Sequence, residues 1–137
     1  MDALKNIVVV LGRILLALIF VRGGINKIGA IDPTAGQMAK AGIPLSGLLI
    51  YGAILLELGG GLLLIFGLFA RWIALALCLY TLTLALIFHA FWAVAAAQER
   101  TQAAQFFGHL SMMGGMLMVV AFGAGAWSLD ALLRRKS

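Results

Sequence analysis

Apolar positions along this chain do not alternate with polar ones; they run continuously through four stretches, at 7–28, 48–69, 72–93 and 104–125. Each is long enough to cross roughly 30 Å of hydrocarbon, which takes about 20 helical residues. Unbroken apolar runs exclude a membrane β-barrel, whose strands would alternate. The pattern predicts an all-α, integral membrane bundle of four transmembrane helices, a single domain over 1–137. The longest connection, 29–47, holds Asp32-Pro33-Thr34. Asp32 as N-cap and Pro33 at the first helical position predict a short surface helix over 35–41, stopped by Gly42 and Pro44. The second connection is only Ala70 and Arg71, and the third carries Gln98, Glu99 and Arg100.

Composition says what surrounds such a bundle. Only 11% of residues are charged and 64% are hydrophobic, where a soluble domain carries about 25% charged residues. Lipid must cover most of the surface. The net charge of +5 is spread along the chain, not clustered with aromatics on one wet face, which argues against nucleic acid as a partner. Cys78 is the only cysteine, so there is neither an internal disulfide nor a thiolate metal site, and no metal is expected. Arg13 interrupts the first apolar run and no small-x-small site follows, so that run is read as a retained helix, not a cleaved signal. Four spans put Lys5, Arg71, Arg134, Arg135 and Lys136 on one side and leave Lys40 and Arg100 on the other. The excess of positive charge predicts that both termini lie in the cytoplasm.

Charged side chains inside a membrane each need a reason, because insertion costs about 2.5–3.5 kcal/mol or more. Counted from the predicted helix ends at about 1.5 Å per residue, Glu57 lies about 13 Å deep, Arg22 about 9 Å, and His89 and His109 about 6–8 Å. One polar side chain from each helix thus falls in the outer half of the bundle. Arg22, Glu57, His89 and His109 form the candidate internal cluster, with Arg22 as partner of Glu57. Plain structural readings stand beside it: an ion pair that fixes register, an interfacial histidine in Phe88-His89-Ala90-Phe91-Trp92, an interhelical hydrogen bond from His109. Lys27 is expected to snorkel to the outer headgroups and Arg13 to the inner ones. Gly59-Gly60-Gly61 and Gly114-Gly115 are expected to bring helices close, Ser111 and Gly115 making a small-xxx-small pair.

Read together, Gly12-Arg13, Gly24-Ile25-Asn26-Lys27, Glu57-Leu58-Gly59-Gly60, Gly67-Leu68-Phe69-Ala70-Arg71, Phe88-His89-Ala90-Phe91-Trp92, Met113-Gly114-Gly115 and Ser128-Leu129-Asp130 resemble the DoxX family of small four-helix inner-membrane proteins. The family often carries Lys-Asn where this chain has Gly108-His109, which makes His109 the substitute here. The resemblance implies an oxidoreductase subunit, since some relatives are subunits of thiosulfate:quinone oxidoreductase. The leading expectation is therefore a membrane subunit or accessory of a redox system that contacts a quinone and needs a redox partner protein. His89 and His109 are the candidate cofactor-binding residues; haem between them is a minor alternative. The alternative function is a non-catalytic membrane scaffold or a subunit of a small-solute transporter, which at this length would have to form a homo-oligomer.

Overall fold

A computed structural model of the chain describes residues 2–136. Seven α-helices appear among them: α1 (Asp2–Ile28), α2 (Ile31–Lys40), α3 (Ser46–Ile54), α4 (Gly60–Phe66), α5 (Ala70–Phe88), α6 (Ala96–Phe122) and α7 (Leu129–Lys136). A π-helical turn, Leu55–Gly59, joins α3 to α4, and a 3₁₀ turn, Phe91–Ala93, follows α5. Four segments are long and apolar enough to cross a membrane: Asp2–Ile28, Ser46–Phe66, Ala70–Ala93 and Ala96–Phe122. The four-span expectation holds, with differences at the ends. The first and fourth helices begin well before 7 and 104, because the polar turns at Asp2–Asn6 and Gln98–Gln102 stay helical beyond the apolar run. Hydropathy marks where hydrocarbon ends, not where backbone hydrogen bonding ends. The surface helix also starts early: Ala30, not Asp32, is its N-cap, and Asp32 makes no capping bond. Pro33 is accommodated because first-turn N–H groups need no intrahelical partner.

Neighbouring helices pack unevenly. α1 lies along the π turn and α4, and α5 lies along α6, while α1 and α6 scarcely meet. The bundle is thus tight across two interfaces and open along a seam between its first and last spans. Its core is Ala17, Phe20, Leu64, Ala74, Leu77, Cys78 and Met116. Leu15, Leu55, Trp72 and Phe122 stand exposed, as apolar side chains must where lipid is the solvent.

Close approach is made by Gly61 of the expected glycines and by Gly24, which was not among them. A Cβ on Gly24 would come within 2.8 Å of the Leu58 backbone nitrogen, and one on Gly61 within 2.8 Å of Val21 Cγ2. These two positions let α1 sink against the second span, as small residues do in membrane bundles. Gly59 and Gly114 face open space or nearly so, Gly115 only approaches Leu16, and Ser111 is exposed and bonds back to Phe107 O. Of the Ser111–Gly115 pair, only Gly115 therefore meets a neighbouring helix, at Leu16 of α1.

At the end that carries both termini, polar groups hold chain segments together. Arg13 does not snorkel. It is 4% exposed and donates to the carbonyls of Ala124, Ile65 (3.0 Å) and Trp127 (3.1 Å). Asp130 accepts from Phe69 N (2.8 Å) and Ala70 N (2.9 Å), capping α5 from a distant part of the chain. Phe69 sits in the left-handed region at φ 50°, a conformation costing about 1–2 kcal/mol without glycine, and this carboxylate holds it there. Ser128 Oγ closes the same turn on Gly125 O at 2.7 Å.

Candidate functional site

The other end is built differently. Glu57 stands in the middle of the π turn Leu55–Gly59, and single π turns inside α-helices recur at functional sites because they re-aim side chains. Here the widened turn directs Glu57 at α1, where Gly23 leaves it room: a Cβ on Gly23 would sit 2.6 Å from Glu57 Oε2. The carboxylate is 4% exposed and pairs with Lys27 Nζ at 2.9 Å. Its other oxygen accepts a hydrogen bond from the Tyr80 hydroxyl of α5.

This corrects the expected partner. Arg22 lies at similar depth but is exposed on α1, and helix phase decides the matter. Lys27 follows Gly23 by one turn and shares its face, whereas Arg22 is rotated by about 100° from Gly23. The long lysine side chain, expected to reach outward to headgroups, reaches inward instead. Of the four cluster residues, Arg22 is left outside, while Glu57, His89 and His109 remain at one end of the bundle. Lys27, Tyr80 and Thr81 were missed. The available signals were the Gly23–Lys27 spacing and the Tyr80-Thr81 dipeptide inside a mostly apolar run.

His89 caps the end of α5 and its Nδ1 meets Gln102 Oε1 at 2.8 Å; His109 Nδ1 meets Gln105 O, one turn back on α6, at 2.8 Å. A carbonyl only accepts, so the neutral His109 ring carries its proton on Nδ1 and leaves Nε2 as an acceptor. The two imidazoles touch, ring centroids 4.8 Å apart. Direct ring contact leaves no gap for a haem between them. Phe91, Trp92, Phe106 and Phe107 form an edge-to-face aromatic group beside the pair. Among the described residues no group of three His, Cys, Asp or Glu could hold a metal.

Two cavities meet at the Lys27–Glu57–Tyr80 network. The larger, about 540 Å³, lies between α1, α2, α3 and α5; Lys27, Tyr80 and His89 line it together with apolar Leu49, Leu56, Ile87 and Phe88. The smaller, about 150 Å³, lies on the seam side, lined by Lys27, Glu57, Thr81 and His109 among apolar neighbours. The histidines therefore do not share one chamber with Glu57 as floor. His89 faces the larger cavity, His109 the smaller, and Lys27 borders both.

Comparison with known proteins agrees with this architecture. The DoxX family model matches residues 8–90, which include Lys27, Glu57, Tyr80 and His89. The chain is 35% identical over 136 residues to inner membrane protein YqjF of Escherichia coli (strain K12), covering 99% of each. It is 30% identical over 128 residues to inner membrane protein YphA of the same organism, covering 93% of this chain and 91% of that one. No solved structure matches. With four apolar spans and relatives aligned from end to end, this chain belongs to the DoxX family.

Proposed function

We propose that the larger cavity binds a lipid-soluble quinone, and that the chain serves a redox system of the inner membrane as a subunit or accessory, with both termini cytoplasmic. The observation that carries this reading is the cavity's make-up: largely apolar walls with Lys27, Tyr80 and His89 among the polar residues of the lining. Its volume lies within the roughly 300–1,000 Å³ of small-molecule sites, which are likewise apolar with a few placed polar groups. Leu49 and Ile87 on its rim are exposed, so an isoprenoid tail could run out along the lipid face.

The residues fit the headgroup. Lys27 offers donors to a carbonyl oxygen. His89, donating from Nδ1 to Gln102, would present Nε2 as acceptor to a quinol hydroxyl. Tyr80, whose proton is engaged by Glu57, can accept on its oxygen. A bound quinone would supply two-electron, two-proton chemistry; the chain's own part is to orient the ring, exclude water and hold protons at these atoms.

The test is photolabelling with an azido-quinone in lipid nanodiscs. Gly52 lines the cavity and a Cβ there meets nothing within 4 Å, so Gly52→Leu should obstruct the site while leaving the helices packed. Saturable labelling of α3 or α5, lowered about tenfold in that variant, is expected, about 1.4 kcal/mol of lost affinity. Labelling no stronger than that of bulk lipid, or unchanged by Gly52→Leu, would overturn the reading in favour of a non-catalytic scaffold.

A further inference from the structure

We propose that the smaller cavity is a hydrated proton passage joining Glu57 to His109. Its role in proton release rests on the quinone reading above; its hydration does not. Thr81 is in the lining of the cavity, and its Oγ1 is buried without a protein partner, in a residue 1% exposed. A buried hydroxyl without a partner is destabilising, and ordered water is the usual remedy. The site meets the requirements for water, which needs space and about 2–4 polar neighbours per molecule. Volume near 150 Å³ is available, with Glu57, Lys27, Thr81 and His109 in the lining. Each water takes about 30 Å³, so a short chain of them fits.

The arrangement connects two compartments through one network. Tyr80 and Lys27 face the larger cavity; Glu57 and His109 face the smaller. Tyr80 passes its phenolic proton to the Glu57 oxygen it already bonds and takes another from the larger cavity. Glu57 then yields a proton to cavity water, which hands one to the free Nε2 of His109. Tyr80, Glu57 and the water end as they began, His109 holds the transferred proton as an imidazolium that releases it at the exit, and no electron moves in these steps. His89, in ring contact with His109, brings a second imidazole to the exit.

The experiment uses the full chain, isotope-labelled, in nanodiscs without added quinone. Water-edited solid-state NMR should transfer polarisation from water to the Thr81 and His109 side chains. The Tyr80 hydroxyl proton should exchange with deuterium at least about tenfold more slowly in Thr81→Val/His109→Leu than in the unmodified protein, the factor expected for about 1.4 kcal/mol of lost stabilisation along the path. Thr81→Ser should keep both signals. A cavity with no water transfer, or one filled by lipid acyl signal, overturns the proposal from the unmodified protein alone, even where the double variant fails to fold. So does unchanged Tyr80 exchange in the double variant. Failure of quinone labelling leaves these readouts untouched, and a dry cavity leaves the labelling untouched, so the two readings fail separately.

Discussion

Lys27 and Glu57 should behave as one unit, and a double-mutant cycle measures it. Glu57 is 4% exposed and Lys27 23%, with 2.9 Å between Nζ and Oε2. Removing one member of a buried pair costs about 3–5 kcal/mol in soluble proteins. The two sides of this pair differ. Lys27→Met leaves the carboxylate enclosed with Tyr80 alone, so a loss of about 3 kcal/mol is expected. Glu57→Gln leaves a lysine close to the end of α1 that can swing outward to headgroups, which softens the loss to about 1–2 kcal/mol. Lys27→Met/Glu57→Gln retains a neutral amide for Tyr80 and no stranded charge. It should therefore recover about 2 kcal/mol relative to the sum of the singles. Arg22→Gln, on the exposed face of α1, should stay within about 0.5 kcal/mol of the unmodified protein. Equilibrium unfolding in mixed micelles, followed by tryptophan fluorescence, reads all four. Additivity of Lys27→Met and Glu57→Gln within about 0.5 kcal/mol would refute the pairing, as would coupling of Glu57 to Arg22 instead.

Three further outcomes test the framework around the site. Asp130→Ala removes the acceptor for Phe69 N and Ala70 N and should cost about 1–2 kcal/mol as a lost helix cap, with protection of those two amides from hydrogen exchange lost first. Gly24→Ala drives a methyl against the Leu58 backbone, which cannot rotate away; about 2–3 kcal/mol of destabilisation is expected from overpacking, against less than about 0.5 kcal/mol for Gly114→Ala, where nothing lies within reach. Reporter fusions at Lys40 and at the C-terminus should give opposite sides, the C-terminal one cytoplasmic; a shared location would refute the spans, and reversed locations the orientation.

Four spans and their order were legible because hydrocarbon imposes a length and a polarity that a run of residues must satisfy by itself. The site was legible only in depth. Counting residues from helix ends located Glu57, His89 and His109 at one end of the bundle, and counting is one-dimensional. Partner choice needs rotation about each axis, and the π turn at Leu55–Gly59 shifts that rotation in a way no apolar period reveals. Arg22 and Lys27 were therefore distinguished by depth alone, and the wrong one was paired. The glycines were legible only in part, for a related reason. Gly24 and Gly61 pack while Gly59 and Gly114 do not, because a small residue permits close approach without saying which face has a neighbour.

The family motifs divide once they are placed in space. Gly12-Arg13, the Gly67–Arg71 stretch and Ser128-Leu129-Asp130 converge at the end with the termini, where Arg13 and Asp130 spend their charges on backbone groups of other segments. The Lys27, Glu57 and His89 motifs converge at the opposite end, where side chains bond mostly to one another and border cavities. These two patterns are complementary. A bundle whose first and last spans scarcely touch needs another means of holding them in register. The Arg13 bonds to Ala124 and Trp127 supply it by tying α1 to the segment after α6. With that end tied, the helices stay together although the seam carries a cleft at each end, one beside Arg13 and the small cavity beside Glu57. Two cations of the same helix thus serve opposite purposes: Arg13 ties segments of the fold together, and Lys27 pairs with a buried carboxylate beside an opening.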